Sequence, residues 1–274
     1  MIQFVKQLRK YLTIFKISFQ QEFAYKVNFI MWRVRNTIQI LINYFLWSAI
    51  FIDSSVNLFG YDREKILTYI FGMIIVRALV LSARAMDVSS DISQGDLSNY
   101  LVRPISYFKY WFTRDISSKV LNVLFAAGEF LILYVILRPT LYFQGDVTIL
   151  AMFALSIVIA IMIYFSIIFM VSSIPFWAPE LGWGGHFIVT VIIVEFLSGS
   201  LFPIDILPTA FQKVLMLTPF PYMIFFPIQI YIGKVSTAMF LQGTYVSLIW
   251  AVGLWFLMRF IWNRGMKSYQ AFGR

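Results

Sequence analysis

Six long apolar stretches constrain this chain more than any other feature of its sequence. They cover residues 36–52, 66–82, 120–137, 148–172, 186–202 and 238–262. A helix needs about 20 mainly apolar residues to cross the core of a bilayer, so these stretches indicate transmembrane helices that extend into their flanks. Only 13% of the residues are charged, whereas a soluble domain carries about 25%. We therefore predict an all-α integral membrane protein with six transmembrane helices in a single domain, residues 1–274.

The composition also limits the chemistry of the chain. It has no Cys and a single His, His186. Disulfides, thiolate metal ligands and cysteine nucleophiles are therefore excluded, and one imidazole cannot build a zinc site. The formal net charge of +9 would suit nucleic acid, but no basic face with stacking aromatics lies outside the apolar stretches. We expect no catalytic residue, no metal, no cofactor in this chain and no nucleic-acid partner.

Lys and Arg are concentrated in three segments, which lie before the first apolar stretch, between the second and third, and after the sixth. The first of these segments includes Arg33 and Arg35. Cytoplasmic loops of membrane proteins carry an excess of Lys and Arg. The distribution predicts that both termini are cytoplasmic and that residues 84–119 form a cytoplasmic loop.

Residues 1–28 form a pattern typical of an amphipathic helix. The apolar residues at helical spacing are Phe4, Leu8, Leu12, Phe15, Phe19 and Phe23, and the Lys and Arg residues lie largely off that line. A basic helix with one apolar face lies in the membrane interface. The segment lacks the uninterrupted apolar core of a signal peptide. It is predicted either to anchor the chain only or to dock a partner as well.

The segment 203–234 is apolar but interrupted by five prolines, Pro203, Pro208, Pro219, Pro221 and Pro227. Proline breaks a helix because it removes a backbone donor and clashes with the preceding turn. The prolines therefore disfavour a single straight spanning helix here. We predict two short re-entrant helices that dip into the outer leaflet, because irregular backbone is tolerated at membrane depth where protein covers it.

Three charged residues fall within the apolar stretches: Arg77, Glu129 and Glu195. A charge at the bilayer centre costs about 2.5–3.5 kcal/mol on insertion scales, so such residues face a partner, a cavity or a pathway. Arg77 is near the inner end of its stretch, and the simplest interpretation is that it extends to the interface. For the two glutamates, a clamp between helices and a substrate or proton pathway both remain open.

The cytoplasmic loop contains SQGDLSNYLVRPISYFKYW, residues 93–111. Asp91 can cap a helix that continues to Leu101 and stops before Arg103-Pro104, since proline disfavours helix in the preceding residue. Tyr107, Tyr110 and Trp111 follow, and such aromatics suit headgroup depth. A short helix held between two membrane helices in this way would act as a rigid lever.

The pattern Ile92, Gly95, Leu97, Tyr100, Leu101, Val102, Arg103, Pro104 resembles the loop after the second span in bacterial ATP-binding-cassette (ABC) permeases of the ABC-2 class, or type V exporters. The amphipathic N-terminus, six spans and proline-broken segment resemble the same class. The chain contains no phosphate-binding G-x-x-x-x-G-K-[ST] motif, and residues 84–119 are too few for a nucleotide-binding domain. We expect ATP hydrolysis on a separate chain.

The resemblance implies several functional sites and partners. An ABC ATPase subunit, present in two copies with ATP and Mg, would dock on a coupling helix within 87–103, and a second permease subunit, identical or homologous, would complete the pathway in the bacterial inner membrane. The implied ATPase-coupling residues are Asp91, Gly95, Asp96, Leu97, Tyr100, Leu101, Arg103 and Pro104. Pro179 and Glu180 would form a second cytoplasmic contact, and Phe202, Pro203, Pro208 and Phe220 an outer gate.

The leading functional hypothesis is therefore the permease subunit of an ATP-driven exporter. Phe202, Phe220, Phe225 and Phe226 make the exit apolar, which favours a lipid-like, drug or peptide cargo, although phenylalanines facing lipid explain them equally well. The alternative is a proton-coupled secondary transporter that uses Glu129 and Glu195. That class usually has two related halves, which the sequence does not contain. A membrane scaffold without transport is the third hypothesis.

Overall fold

The structure is a computed structural model that describes residues 2–22, 26–53 and 57–269. It is 79% helical, and the described residues contain no β-strand, so the predicted all-α class is confirmed. The helices are α1 (Ile2–Glu22), α2 (Lys26–Ile50), α3 (Arg63–Val80), α4 (Asp87–Ser93), α5 (Leu97–Leu101), α6 (Tyr107–Leu137), α7 (Val147–Val171), α8 (Gly182–Phe187), α9 (Glu195–Leu197), α10 (Thr209–Met216), α11 (Phe225–Tyr231) and α12 (Thr237–Ser268). A π-helical segment, Ile188–Val194, joins α8 to α9.

Every predicted apolar stretch overlaps a helix, but not every one meets the requirements of a span. Among the described residues, α6, α7 and α12 are long and apolar enough to cross a membrane. A fourth span results if α3 is counted together with residues 84–93, which follow it at a bend of 48°. The apolar helix 184–197 is too short to qualify, and α2 carries Arg33 and Arg35. The structure thus supports three or four spans, and the count of six stays a prediction.

Side-chain caps fix the beginnings of three long helices. Asp62 accepts a hydrogen bond from the backbone N–H of Lys65 at 2.7 Å and begins α3. Asp146 accepts one from Thr148 at 2.7 Å and begins α7, and Ser236 begins α12 in the same way. Such caps satisfy backbone donors that the helix itself leaves free and contribute about 1 kcal/mol each.

Helix α7 is the centre of the helical bundle. It packs against α12, α11 and α3, while α3 also packs against α6 and α2. The most apolar window of α7 is 67% buried, against 17% for the corresponding windows of α6 and α12. Because α6 and α12 expose apolar faces over most of their length, lipid or another subunit must cover them.

The N-terminal helix α1 packs along α6. Its side chains are described from Leu8 onward, and Phe15 and Phe19 stack with ring centres 6.4 Å apart. The backbone carbonyl of Phe15 accepts a hydrogen bond from the Ser117 hydroxyl of α6 at 3.0 Å. Phe23, the last predicted apolar position, lies outside the described residues. The helix is present as predicted, and its position in the membrane interface stays a prediction.

The proline-broken segment 203–234 contains α10 and α11, so the two predicted short helices are present. Residues 221–230 are all buried, and α11 packs against α7 and α3. Phe225 and Phe226 are therefore part of the core and do not line an open exit in this conformation. Insertion of these helices into the outer leaflet stays a prediction.

Candidate functional site

The predicted cytoplasmic loop, residues 84–119, contains two short helices before α6, and the prediction of one helix over residues 91–101 is wrong. Helix α4 ends at Ser93, and α5 begins at Leu97. Gly95 separates them with φ +82°, a left-handed conformation that glycine adopts without steric cost. The carbonyl of Gly95 accepts hydrogen bonds from the hydroxyls of Tyr269 and Ser98, both at 2.9 Å.

Apolar side chains attach this loop to the helical bundle. Val88, Ile92 and Leu97 are buried, and Leu97 is 0% exposed. Leu97 was expected among the contacts to an ATPase, but its side chain is not available for direct contact in this conformation. Burial makes it an anchor that fixes the position of α5.

Two of the three aromatic residues that follow, Tyr107 and Trp111, are buried in protein and Tyr110 is partly buried, and their placement at headgroup depth stays a prediction. Trp111 is 1% and Tyr107 8% exposed. The Tyr107 ring stacks on Trp262 of α12 with centres 4.9 Å apart, and Tyr100 packs edge-on against Tyr107 at 5.6 Å. The loop is therefore held by aromatic contacts to the first turn of α6 and to the end of α12.

Asp91 joins the two sides of the loop. Its carboxylate accepts a hydrogen bond from the Tyr107 hydroxyl at 2.9 Å. Burial raises the pKa of the Asp91 carboxyl to about 6, and the Tyr107 hydrogen bond and the charge of Arg114 oppose that rise. Of the predicted coupling residues, Asp91, Gly95 and Tyr100 are thus partly buried supports of the loop.

The remaining predicted coupling residues form its exposed edge. Asp96, Leu101, Arg103 and Pro104 are all exposed, and Val102 beside them is 85% exposed. The Arg103 guanidinium lies 5.2 Å from the centre of the Tyr100 ring, which orients it. An exposed edge with charged and apolar residues, held in place by buried side chains, is a suitable binding surface for another protein.

The structure brings the second predicted cytoplasmic contact next to this loop. Helix α4 packs against the one-turn helices Ile174–Phe176 and Pro179–Leu181. Pro179 and Glu180 are exposed, and Trp177 beside them is 54% exposed. Phe176 is buried against Trp262, with ring centres 5.2 Å apart. Two loops that are distant in sequence therefore have adjacent positions at one end of the bundle.

Ion pairs that the sequence did not reveal hold the beginning of the loop. Arg84 pairs with Glu22 at the end of α1 and with Asp87 of α4. Its backbone N–H donates to the buried carboxylate of Asp115 at 3.0 Å. Lys119 lies 3.3 Å from Asp115 and also donates to backbone carbonyls at the end of α3. Arg84 and Lys119 had been interpreted only as topology signals.

The charged residues of the apolar stretches are paired with each other. Arg77 donates two hydrogen bonds to the Glu195 carboxylate, at 2.7 and 2.5 Å. Their side chains are 12% and 9% exposed, so the interpretation that Arg77 extends to the interface is wrong. Arg35 of α2 approaches the same carboxylate at 3.7 Å. This bidentate geometry is the strong form of an arginine–carboxylate pair.

Glu129 has a comparable arrangement on the other side of α2. Arg33 lies 3.2 Å from its carboxylate, and the Thr37 hydroxyl donates to it at 3.3 Å. Arg33 and Arg35 were counted with the flank before the first span, but α2 begins at Lys26 and includes both. The pairing places each glutamate in a clamp between helices, one of the two roles that the sequence left open.

A polar cluster joins the predicted gate segment to the loop before α3. Asp205 accepts hydrogen bonds from the Tyr61 hydroxyl at 2.9 Å and from the Lys234 ammonium at 2.7 Å. The Gln229 amide also donates to Tyr61 and Asp205. The predicted gate residues lie before and after Asp205 in the sequence, and their burial differs. Pro203 is buried, Phe202 and Phe220 are partly buried, and Pro208 is exposed.

The single histidine, His186, is part of the packed interior and contacts a neighbouring hydroxyl. His186 is buried, and its Nε2 lies 3.0 Å from the Ser172 hydroxyl, which donates to the carbonyl of Ala85 at 2.7 Å. Within the described ranges, no group of three or more His, Cys, Asp or Glu residues could hold a metal ion. These contacts join α8 to the beginning of the loop 84–119.

A helical bundle with apolar spans, paired charges inside them and two loops side by side at one end defines a multi-pass membrane protein. The family described as "ABC-2 family transporter protein" matches residues 37–273. Because the match covers most of the chain, the protein belongs to the ABC-2 family of transporter membrane proteins. This family implies work with an ABC ATPase subunit. No curated protein matches the chain.

Proposed function

We propose that this chain is the permease subunit of a type V ABC exporter and that a separate ATPase subunit docks on its two cytoplasmic loops. The observation that carries the proposal is the exposed edge formed by Asp96 and residues 101–104, which is held by buried anchors and lies adjacent to Pro179 and Glu180. ATP and Mg would bind the partner, in two copies per complex. Both termini would face the cytoplasm of a bacterium, and an identical or homologous permease would cover the exposed apolar faces.

The geometry around Tyr107 supports a lever mechanism. Tyr107 is the first residue of α6 and holds Asp91 of the loop. Helix α6 has 31 residues, which corresponds to a length of about 46 Å at 1.5 Å per residue. A displacement of the loop by ATP-driven closure of the partner would therefore reach the opposite end of the bundle through a continuous rigid helix.

The proposed cargo is amphipathic or hydrophobic, and the proposed direction is outward. The support is chemical: the segment 203–234 is mostly apolar, and three of its polar side chains, Asp205, Gln229 and Lys234, bind each other. A sugar or ion pathway needs free polar groups along its walls. The proton-coupled alternative has less support, because Arg77 engages Glu195 and Arg33 engages Glu129.

Charge reversal at Arg103 tests the proposal. Arg103→Glu changes an exposed residue, so the chain should fold normally while docking is weakened. In vesicles that contain the permease and its ATPase, we expect ATP hydrolysis to continue with transport reduced at least tenfold. Arg138→Glu, the reversal of another exposed residue at the opposite end of α6, is the matched control and should transport normally. Full coupling in the Arg103 variant would contradict the proposal.

A further inference from the structure

An open cavity of about 370 Å³ lies where α1, the beginning of α6 and the second half of α12 meet. Its volume is within the range of about 300–1,000 Å³ that is typical of ligand pockets. Lys109 and Thr113 of α6 and Arg259 of α12 contribute to its lining, together with Ser106. No Asp or Glu contributes to it.

The two cations of this cavity are available for an anion. Lys109 and Arg259 are exposed, and neither forms an ion pair with a carboxylate in the part of the chain that the structure describes. The Arg259 guanidinium lies 5.5 Å from the centre of the Phe108 ring, and such a contact holds it in place. The Ser106 side chain makes no capping hydrogen bond, so its hydroxyl can donate to the same anion.

The rest of the wall is aromatic. Tyr11 of α1, Phe112 of α6 and Trp255 of α12 line the cavity beside the cations. Leu8 and Leu12 of α1 and Phe256 of α12 are exposed apolar side chains close by in sequence. A ligand that contacts both the two cations and the aromatic side chains needs an anionic head and an apolar tail. Basic pockets between membrane helices at the cytoplasmic side bind lipid headgroups in this manner.

We propose that the cavity binds an anionic phospholipid of the cytoplasmic leaflet, with its phosphate between Lys109 and Arg259 and its acyl chains along the aromatic wall. The site adjoins the cytoplasmic loop, because Lys10 of α1 donates to the carbonyl of Pro104, two residues before Ser106. A bound lipid would thus brace α1 against the base of the loop. The proposal rests on the orientation given under Proposed function, with this end of the bundle at the cytoplasmic face, and is independent of the cargo.

Binding of a short-chain phospholipid to the full-length protein in neutral detergent tests this site. Dioctanoyl phosphatidylglycerol is the anionic probe, with dioctanoyl phosphatidylcholine and inorganic phosphate for comparison, and binding is measured by the shift of the thermal unfolding midpoint. A basic residue near an anionic headgroup contributes about 1 kcal/mol. The double variant Lys109→Gln/Arg259→Gln should therefore bind phosphatidylglycerol about 30-fold more weakly, since 1.4 kcal/mol is tenfold.

The double variant Arg264→Gln/Lys267→Gln is the matched control. Arg264 and Lys267 are exposed on the same helix, and Arg264 lies 5.3 Å from the Phe260 ring, but neither lines the cavity. The control removes the same charge and should bind phosphatidylglycerol like the unmodified protein. Equal losses in both double variants, or equal shifts with phosphatidylcholine, would refute a specific site. A shift of the same size with inorganic phosphate would refute the lipid as the occupant.

Discussion

Replacing Glu195 by Gln removes the negative charge that two arginines share inside the bundle. Arg77 would keep one acceptor, the amide oxygen, in place of the two carboxylate oxygens at 2.7 and 2.5 Å. Arg35, at 3.7 Å, would lose its counter-charge as well. Removing one partner of a buried ion pair costs about 3–5 kcal/mol, because the other charge stays buried and uncompensated.

The exposures of the two side chains place the expected loss near the lower end of that range. The Arg77 and Glu195 side chains are 12% and 9% exposed, so some water reaches the pair, and we expect Glu195→Gln to lower the free energy of unfolding by about 3 kcal/mol. The double variant Arg77→Gln/Glu195→Gln removes both charges. It should be about 1–2 kcal/mol more stable than the sum of the two single changes predicts.

Equilibrium unfolding in mixed micelles of neutral and anionic detergent measures these differences, and a transport assay runs in parallel. Glu129→Gln is the comparison, because Arg33 lies 3.2 Å from its carboxylate and the Glu129 side chain is 19% exposed. It should lose less, about 1–2 kcal/mol. A Glu195→Gln protein as stable as the unmodified chain, with transport abolished, would refute the clamp and favour a proton pathway.

Two further predictions concern the cytoplasmic end. Because the pKa of Asp91 is raised to about 6, its protonated form stabilises the fold below about pH 4, and this contribution is lost as the pH rises through 6. Asp91→Asn keeps the acceptor for Tyr107 and should raise the free energy of unfolding at pH 7.5 by about 1 kcal/mol, allowing for partial exposure. Between pH 4.5 and 7.5, the thermal unfolding midpoint of this variant should change less with pH than that of the unmodified chain. An equal pH dependence in the two proteins would contradict this. Gly265→Ala would place a Cβ 2.6 Å from Cγ of the buried Phe176, so we expect the free energy of unfolding to fall by about 1–3 kcal/mol. Gly253→Ala lies on the same helix, and its Cβ would have no neighbouring atom within 4 Å, so the free energy of unfolding should rise by up to about 1 kcal/mol. Similar unfolding midpoints for the two variants would contradict the packing argument.

The helical class and the approximate helix positions could be predicted because they depend on local apolar runs. The break at Gly95 was also readable in principle, since Ser-Gln-Gly-Asp is a turn-forming sequence, but the apolar spacing of Ile92, Leu97 and Leu101 favoured one helix. The hydrophobic pattern could not show that Leu97 is buried and Leu101 exposed. That difference depends on which elements cover the loop.

The ion pairs could not be predicted for a similar reason. Arg33 and Arg35 precede the first apolar stretch, so their positive charge agreed with the topology rule and raised no further question. Their partners come from α6 and from the first residue of α9. Pairing of this kind depends on how helices are rotated and packed, and a single sequence contains no direct signal of it. The polar cluster around Asp205 could not be predicted for the same reason, because its members are distant in sequence.

Cross-linking from Val102 tests the central claim most directly. The chain has no Cys, so Val102→Cys and the control Leu217→Cys, at residues 85% and 71% exposed, each introduce a unique thiol for a short photoactivatable cross-linker in native membranes. The account predicts a cross-link from Val102, and none from Leu217, to a nucleotide-binding chain that mass spectrometry identifies and that hydrolyses ATP in the purified complex. No such product from Val102, or equal products from both positions, would contradict the assignment of this loop as the ATPase docking site.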